Sequence, residues 1–576
     1  MLAFNSSDIS EFTFNAVDYT VFILMLSISA AIGIYYGFVH KSENTTAEYL
    51  HGGKRMRTLP IAISLVASQL SAVAIMAIPA ESYSFGINWA FNVIAMIFII
   101  PIINYVVIPV FYNNNISNCY EYLEMRFNSK TRDLMTLSFV GNLCFILPLY
   151  MFIPSLAFAQ VTGFNIHFIN GIVCSICVFY TMVGGIKAVV WTDVVQGTVM
   201  LTSVILVFVL GIIKVGGFGE VFRLATDGQR LDINFTFDAT TRSTFWNCFS
   251  SAIVVWTSYV GMNQSCVQRI VSLPSLKHAQ RSLFLFGIGF AIIMLLNSLT
   301  GIVMYARYHD CDPVAAGFVE KADKLMPFFV QDIMGYLKGM PGVFISCVFS
   351  AALSTLSASL NSLAGIVYFD YIKPRIKHTE SRANFIMKSI VLFTGLYCIA
   401  AGVIVEKFSS IIQMLYSITG VTFGAVFGVF LLGMLVPQSH GRAAFCAVAA
   451  SMLTMLVIVL GAQGRISYDP LPTSTESCIN GSNLMQDYEN FTSLLSMDSP
   501  PKKSFNILNI SFNWYMILGA SVVFIVGIPL SYILPPGKDA KFDPKLLSPV
   551  IQPLFRYELT RADELPEILI KEIPKS

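Results

Sequence analysis

The sequence has few charged residues for its length. Asp, Glu, Lys and Arg make up 12% of its 576 residues and hydrophobic residues 55%, so its charged share is about half of that in soluble domains. Apolar runs of about 20 residues, the length that an α-helix needs to cross a bilayer, recur from one end to the other. These features exclude a soluble globular protein and predict an all-α polytopic membrane protein.

The chain also lacks the residue patterns of common enzyme classes. It contains no nucleophile triad, phosphate-binding loop, zinc motif or paired-carboxylate site. Its 11 cysteines have no metal-ligand spacing, and Cys174 and Cys177 lie inside an apolar run, where packing is the simpler interpretation. The net charge of +2 points to no nucleic-acid partner. We therefore expect neither enzymatic activity nor a cofactor.

The apolar runs predict about 13 transmembrane helices. They lie at about 17–39, 61–83, 88–112, 134–160, 166–183, 189–213, 246–268, 284–306, 341–369, 389–405, 409–435, 441–462 and 513–534. Lys54, Arg55 and Arg57 follow the first run, and the positive-inside rule places that basic loop in the cytoplasm. We therefore expect an extracellular N-terminus and, after 13 crossings, a cytoplasmic C-terminus.

This topology divides the chain into segments. Residues 1–16 form a short extracellular N-terminus, and residues 17–534 form the membrane domain. Residues 463–511 form an extracellular loop between the last two spans. Residues 535–576 form a cytoplasmic tail, whose mixed charge predicts a solvated and partly disordered segment.

Two kinds of modification fit the predicted extracellular side. Asn480 and Asn490 begin N-x-S/T sequons in the loop 463–511, so we expect glycosylation there. Cys311 and Cys478 are both predicted outside, where a disulfide between them is compatible with the oxidising environment.

One apolar run, at residues 341–369, is rich in hydroxyl groups. On a helix its polar side chains form two stripes, Ser350, Ser354, Ser357 and Asn361 on one and Thr355, Ser359 and Ser362 on the other. Such groups are costly to leave facing lipid. They could bond to neighbouring helices or to the carbonyl one turn earlier. Alternatively, their neutral oxygens could replace the water shell of a small cation.

Three other polar positions lie inside apolar runs. Gln69 is surrounded by serines in a run without a central Gly or Pro, so composition predicts no break in that helix. Gly261 precedes a polar stretch from Asn263 to Arg269, for which lining a cavity is favoured over a helix end at the membrane interface. Asp193 follows a short turn, where it either complements the dipole of the next helix or serves as an acid on an ion path.

Several motifs resemble those of one transporter family. YTMVGGIKAVVWTDVVQ at 180–196 resembles the signature of the sodium/solute symporter family, and so do AEYLHGGKRM at 47–56, CYEYLEMRF at 119–127 and the serine-rich FSAALSTLSASLNS at 349–362. The resemblance extends over about residues 17–462. It implies the five-plus-five inverted repeat of LeuT-type transporters, with repeats at about 58–214 and 244–436.

The resemblance also implies a sodium site. In this family, carbonyls of a broken helix and of the serine-rich helix bind sodium together with two adjacent hydroxyls. Motif matching assigns these roles to the carbonyls of Ala67, Leu70 and Ala351 and to the hydroxyls of Ser354 and Thr355. Asp193 matches an acid near the inner exit of this site.

The branch within the family follows from residues 263–269. Their N-Q-x-x-x-Q-R pattern resembles that of the monocarboxylate, iodide and multivitamin branch. The chain departs from that branch at 152–154, where Phe-Ile-Pro replaces Tyr-Ala-Pro, and at 419–424, where TGVTFG replaces GGPLLG. By analogy, the substrate cavity is lined by the helices that carry Gln69, Asn263, Gln413 and Tyr416.

The resemblance implies a sodium-coupled symporter that imports a small organic solute or anion, of the monocarboxylate, vitamin or halide class, across the plasma membrane by alternating access. Its partners would be the solute, the sodium ion and the lipid bilayer. A sugar- or polyol-type symporter is the alternative in the same class. An ion channel or a non-transporting solute sensor on the same fold is the alternative from another class.

Overall fold

The computed structural model describes residues 14–39, 54, 56–116, 118–377, 379–405, 411–462, 468–478, 507–535 and 543–553. Within these ranges the regular structure is helical. The α-helices are α1 Ala16–Ile34, α2 Thr58–Gln69, α3 Ala72–Phe85, α4 Phe91–Pro101, α5 Ile108–Asn113, α6 Cys119–Arg126, α7 Ser129–Thr162, α8 Ile166–Val215, α9 Phe218–Asp227, α10 Phe245–Trp256, α11 Gln264–Val271, α12 Leu276–Arg307, α13 Leu325–Met334, α14 Met340–Val367, α15 Glu380–Val405, α16 Ile411–Leu435, α17 Gly441–Ala462 and α18 Tyr515–Ile533.

Ten helices of the described chain are long and apolar enough to cross a membrane, and α2 with α3 makes an eleventh span across a 60° bend. Helix α8 has 50 residues and contains non-helical torsions at Gly185. At 1.5 Å per residue it would be about 75 Å long, far more than the hydrocarbon core of about 30 Å. It therefore contains both predicted runs at 166–183 and 189–213. The total of 13 crossings stays a prediction.

Polar side chains cap the N-termini of many of the helices. Asn118, Asn128, Asn165, Thr244, Asn263 and Ser275 each accept a hydrogen bond from a backbone amide in the first turn of the helix that follows. These caps satisfy amides that have no partner inside a helix. They fix where α6, α7, α8, α10, α11 and α12 begin.

The serine-rich helix α14 lies at the centre of the bundle. In an apolar 18-residue stretch of Met340–Ile372, 89% of the residues are buried, compared with 28% in the corresponding stretch of α15. Helices α1, α2, α7, α8 and α15 pack around it. Its hydroxyl groups therefore face other helices and not lipid.

Part of the predicted cytoplasmic tail packs against the bundle. Leu546 and Leu547 are buried, the Ser548 amide donates to the Met434 carbonyl at 2.9 Å, and the Tyr122 hydroxyl donates to the Leu546 carbonyl at 3.2 Å. The prediction of a solvated tail does not hold for residues 546–548, which are buried, whereas Asp543, Lys545 and Val550 in the same segment are exposed.

A disulfide links Cys311, after α12, to Cys478, with the two Cα atoms 5.1 Å apart. The backbone of the same loops is paired as well, since the Asp312 amide donates to the Ser474 carbonyl at 2.9 Å. The sequons at Asn480 and Asn490 lie outside the described residues, so their glycosylation stays a prediction.

Helices α3 and α12 approach closely at Gly301. A Cβ atom there would lie 2.2 Å from the Pro79 carbonyl oxygen, and backbone cannot move aside as a side chain can. We expect Gly301→Ala to lower the stability of the purified protein by about 1–3 kcal/mol through overpacking. Thermal unfolding of the two purified variants in detergent measures this loss of stability.

Gly289→Ala on the same helix is the control, because its Cβ would meet only a Val66 methyl group at 3.3 Å. Equal unfolding temperatures for the two variants would contradict the prediction.

Candidate functional site

Two broken helices lie beside α14. Helix α2 ends at Gln69, and Leu70 and Ser71 have extended backbone torsions before α3 begins. Helix α10 continues as a π-helical turn at Thr257–Gly261 and gives way to α11 after Asn263. The Gln69 amide group donates to the Cys266 sulfur at 3.0 Å, so the two breaks are adjacent. A break frees backbone carbonyls and amides that a continuous helix would pair.

The Thr355 hydroxyl of α14 reaches the first break. Its Oγ1 lies 3.2 Å from the Ser68 carbonyl oxygen and 2.9 Å from the Ala351 carbonyl oxygen. Ala67 and Leu70, on either side of this contact, are fully buried. The structure therefore brings neutral oxygens of α2 and α14 together at a buried position beside the cavity that Ser68 and Thr355 line, a donor set that suits a hard cation.

Other hydroxyls of α14 bond locally. Ser357 donates to the Ser354 carbonyl at 3.1 Å and Ser362 to the Ser359 carbonyl at 3.0 Å. The interpretation as local back-bonding therefore holds for these two residues. Ser354 differs, because its hydroxyl donates to Asp193 Oδ1 of α8 at 2.6 Å.

Asp193 accepts hydrogen bonds from three other helices. Its Oδ2 lies 3.0 Å from Arg269 Nη2 and 2.6 Å from Ser64 Oγ, while Oδ1 accepts from Ser354. Arg269 Nε also donates to Ser64 Oγ at 2.8 Å. The side chains of Arg269 and Asp193 are 3% and 0% exposed. This four-residue network joins α2, α8, α11 and α14 through one buried ion pair.

Two interpretations from sequence are wrong here. Arg269 lies in the last turn of α11, but its side chain is buried and paired and not exposed, as a helix end at the membrane interface would be. Asp193 lies beyond the first turn after Gly185, and the dipole effect falls off within that turn. The signal for their pairing was present, because a lone acid and a lone base inside apolar runs need opposite charges.

A cavity of about 130 Å³ lies next to the two breaks. Gln69 and Asn263 line it, together with Ser71, Ser265 and Asn142, and their contact with substrate stays a prediction. None of the described residues in its wall is Asp, Glu, Lys, Arg or His. The polar groups are therefore neutral amides and hydroxyls.

The rest of the wall is mainly apolar and aromatic, and includes Trp256, Tyr259 and Phe423. The side chains of Gln413 and Tyr416 lie outside the described part of the structure, so their role stays a prediction. Their neighbours Leu415 and Thr419 line the cavity, which places α16 in its wall.

A sequence model of the sodium:solute symporter family matches residues 49–452. The chain belongs to this family. It is 35% identical over 572 residues to human sodium-coupled monocarboxylate transporter 1, covering 96% of this chain and 91% of the relative. It is 33% identical over 548 residues to mouse sodium-coupled monocarboxylate transporter 2 (93% and 87% covered). It is also 33% identical over 559 residues to the human sodium/iodide cotransporter (93% and 86% covered).

Solved structures share the fold. A Na⁺-coupled sialic acid symporter in a substrate-bound outward-open state matches with a TM-score of 0.75 and 23% identity, over 91% of this chain and 99% of that one. The nucleobase-cation symporter Mhp1 in a closed conformation matches with a TM-score of 0.51 and 14% identity, over 87% of this chain and 98% of that one. These matches confirm the predicted all-α fold of the LeuT type.

This chain is therefore a sodium-coupled solute symporter and not an enzyme, as the sequence predicted. It is a multi-pass membrane protein. The coupling ion is sodium and the cargo is a small molecule. The limits of the two repeats stay predictions.

Proposed function

We propose that this protein imports a small monocarboxylate together with sodium across the plasma membrane by alternating access. The observation that carries the proposal is the cavity at the two helix breaks. It combines neutral polar groups from both breaks with an aromatic wall, so it offers contacts to a carboxylate and to an apolar body. The names of the monocarboxylate transporters among the relatives support the same class.

The carboxylate would bind where the second halves of the broken helices begin. Ser71 and Asn263, the N-cap residues of α3 and α11, both line the cavity. The positive end of the helix dipole favours an anion at both positions. In α11 the Asn263 side chain already accepts from the Ser265 amide, so the carboxylate there would bind beside this cap. The amide group of Gln69 adds a further donor. An anion can thus be held without a buried lysine or arginine.

The cavity suits a monocarboxylate better than the other solute classes. A sugar or polyol presents many hydroxyls, and each one left without a partner in an apolar wall costs about 1–3 kcal/mol. A halide ion has no apolar body to fill the aromatic part of the wall. A short acid contacts both the polar and the apolar part of the wall, so we propose monocarboxylates as the substrate class ahead of sugars, polyols and halides.

The proposed sodium ligands are the carbonyls of Ala67, Leu70 and Ala351 and the hydroxyls of Ser354 and Thr355. The contact of Thr355 with the Ala351 carbonyl joins two members of this set. Its contact with the Ser68 carbonyl brings Thr355 to the backbone between Ala67 and Leu70, which supports the other two carbonyls as neighbours of the ion. Sodium there would join α14 to the broken helix and hold one conformation of the two repeats. Asp193, next to Ser354, would stand on the inner path of the ion.

The driving force depends on the number of sodium ions. A tenfold sodium gradient supplies about 1.4 kcal/mol per ion, and each net positive charge that crosses 100 mV adds about 2.3 kcal/mol. One sodium with one monocarboxylate carries no net charge, so the membrane potential would then contribute nothing. Inward current per solute therefore reports the stoichiometry.

The test is an uptake screen in cells that express the full chain. Labelled monocarboxylates, iodide, biotin, pantothenate, choline and sugars are offered in sodium buffer and in buffer with choline replacing sodium. We expect the steady-state accumulation of the monocarboxylate to fall at least about tenfold without sodium, because about 1.4 kcal/mol of driving force corresponds to a tenfold concentration ratio. Untransfected cells provide the background.

Each alternative has its own outcome in this screen. Uptake that is unchanged in choline would end the claim of sodium coupling. Preferred uptake of iodide or of a sugar would replace the solute class. Currents far larger than the solute flux would indicate a channel, and solute binding without uptake would indicate a sensor.

A further inference from the structure

Two aromatic rings in the cavity wall stack on each other. Tyr259 belongs to the π-helical turn Thr257–Gly261 and Phe423 to α16. Their ring centroids are 4.4 Å apart and their planes differ by 6°. Both residues line the cavity. The stack therefore joins the second helix break to α16 at the surface that a bound solute would touch.

The Phe423 side chain is held by packing against neighbouring helices. Its side chain is 4% exposed and packs with Val255 and Met516 in a small apolar cluster that Tyr259 also contacts. Next to it, a Cβ atom on Gly424 would lie 2.8 Å from the Met516 carbonyl oxygen. Helix α16 therefore packs directly on α18 next to Phe423. The stack forms a firm wall of the cavity.

The cavity behind this wall is small. Its volume is about 130 Å³, close to the roughly 150 Å³ of an engineered apolar cavity that holds one benzene molecule. An acid with an apolar body of about six carbon atoms would fill such a space. A longer tail that extends toward Tyr259 and Phe423 would have to displace one of the stacked rings.

We propose that the Tyr259–Phe423 stack sets the upper limit on the length of the acid's apolar tail. This proposal rests on the proposed function, and it narrows the substrate class to short-chain or compact aromatic monocarboxylates. The two rings are specificity-determining residues: they contact the tail, while the carboxylate and the sodium ion are held by other groups. A purely structural role for the stack would alter the amount of folded protein but not the order of substrates.

The experiment measures a series of straight-chain acids from acetate to octanoate in wild type and in Phe423→Leu. The readout is the sodium-dependent part of uptake, normalised to protein at the cell surface, with KM and maximal rate for each acid. We expect the ratio of octanoate to butyrate efficiency to rise at least about tenfold in Phe423→Leu, since one methylene group in an apolar pocket changes discrimination by about 10- to 200-fold. The sodium concentration for half-maximal uptake should stay unchanged.

Phe427→Leu is the matched control. Phe427 lies one turn further along α16, is buried, and is absent from the cavity wall. The same ring is removed there from the same helix, so the octanoate-to-butyrate ratio should equal that of wild type. Tyr259→Leu is the second test variant, which opens the stack from the other side and carries the test if Phe423→Leu does not reach the surface.

The outcomes separate the two proposals. Uptake of the acids with an unchanged ratio in both test variants would overturn the role of the stack and leave monocarboxylate transport standing. A wild type that takes up none of the acids in a sodium-dependent way would overturn both. A ratio that rises equally in Phe427→Leu would assign the effect to general loosening of α16 and would also overturn the role of the stack.

Discussion

Removing the charge of Arg269 is expected to cause the largest loss of stability. Arg269→Gln leaves the carboxylate of Asp193 buried without its positive partner, and breaking a buried ion pair in this way costs about 3–5 kcal/mol. Both side chains are almost fully excluded from solvent, so water cannot compensate. We expect the variant to unfold at a markedly lower temperature and to reach the cell surface in much smaller amounts.

The double variant Asp193→Asn with Arg269→Gln provides the sharper comparison. It replaces two charges with two neutral amides that can still bond to Ser64 and Ser354, so it should lose less stability than the sum of the single changes. Additive losses would show that the two charges do not act as a pair. Arg223→Gln is the control, because its partners Glu220 and Asp227 are on the protein surface, where solvent screens ion pairs and they contribute little to stability.

This double variant also separates structure from transport. If Asp193 serves only to hold the helices together, a stable neutral pair should retain the sodium dependence of wild type. If the carboxylate stands on the ion path, the stable variant should need more sodium for uptake. The sodium curve of the double variant, measured on protein at the cell surface, decides between the two roles.

Thr355→Ala is expected to have the largest effect on sodium dependence. The change removes a hydroxyl that lies near the Ser68 and Ala351 carbonyls. A bond from one such group to a charged partner is worth about 1.5–3 kcal/mol. The sodium concentration for half-maximal uptake should therefore rise about 10- to 100-fold, with a smaller change in maximal rate.

Two variants test whether this effect belongs to the hydroxyl. Thr355→Ser keeps the oxygen and should restore most of the sodium affinity. Ser362→Ala removes a buried hydroxyl from the same helix whose bond is local, so its sodium curve should match wild type. A sodium curve of Thr355→Ala that matches wild type would place the ion elsewhere.

The break between α2 and α3 shows where sequence reasoning reached its limit. The run around Gln69 has no central Gly or Pro, so nothing local interrupts the helix, and only the family resemblance implied a break there. In the structure, Leu70 and Ser71 are extended, and the freed Ser68 carbonyl accepts a bond from Thr355. A partner 287 positions away in the sequence supports this backbone conformation.

The cavity was predicted in part. Gln69 and Asn263 line it, and the sequence had marked both because amides inside apolar runs must meet other polar groups or a ligand. Phe423 was noted only as a departure from the branch pattern. Its stack with Tyr259 could not be predicted, because the two rings are brought together by the packing of α10 and α16.

The sequence by itself determined the membrane class, the helical architecture and the symporter family, because hydropathy and motifs depend on residues close together in the chain. Only the tertiary structure decided that Arg269 pairs with Asp193, that Thr355 meets the broken helix and that two stacked rings bound the cavity. These contacts join residues from 76 to 287 positions apart. Their formation depends on how the helices pack, and no local pattern encodes those distances.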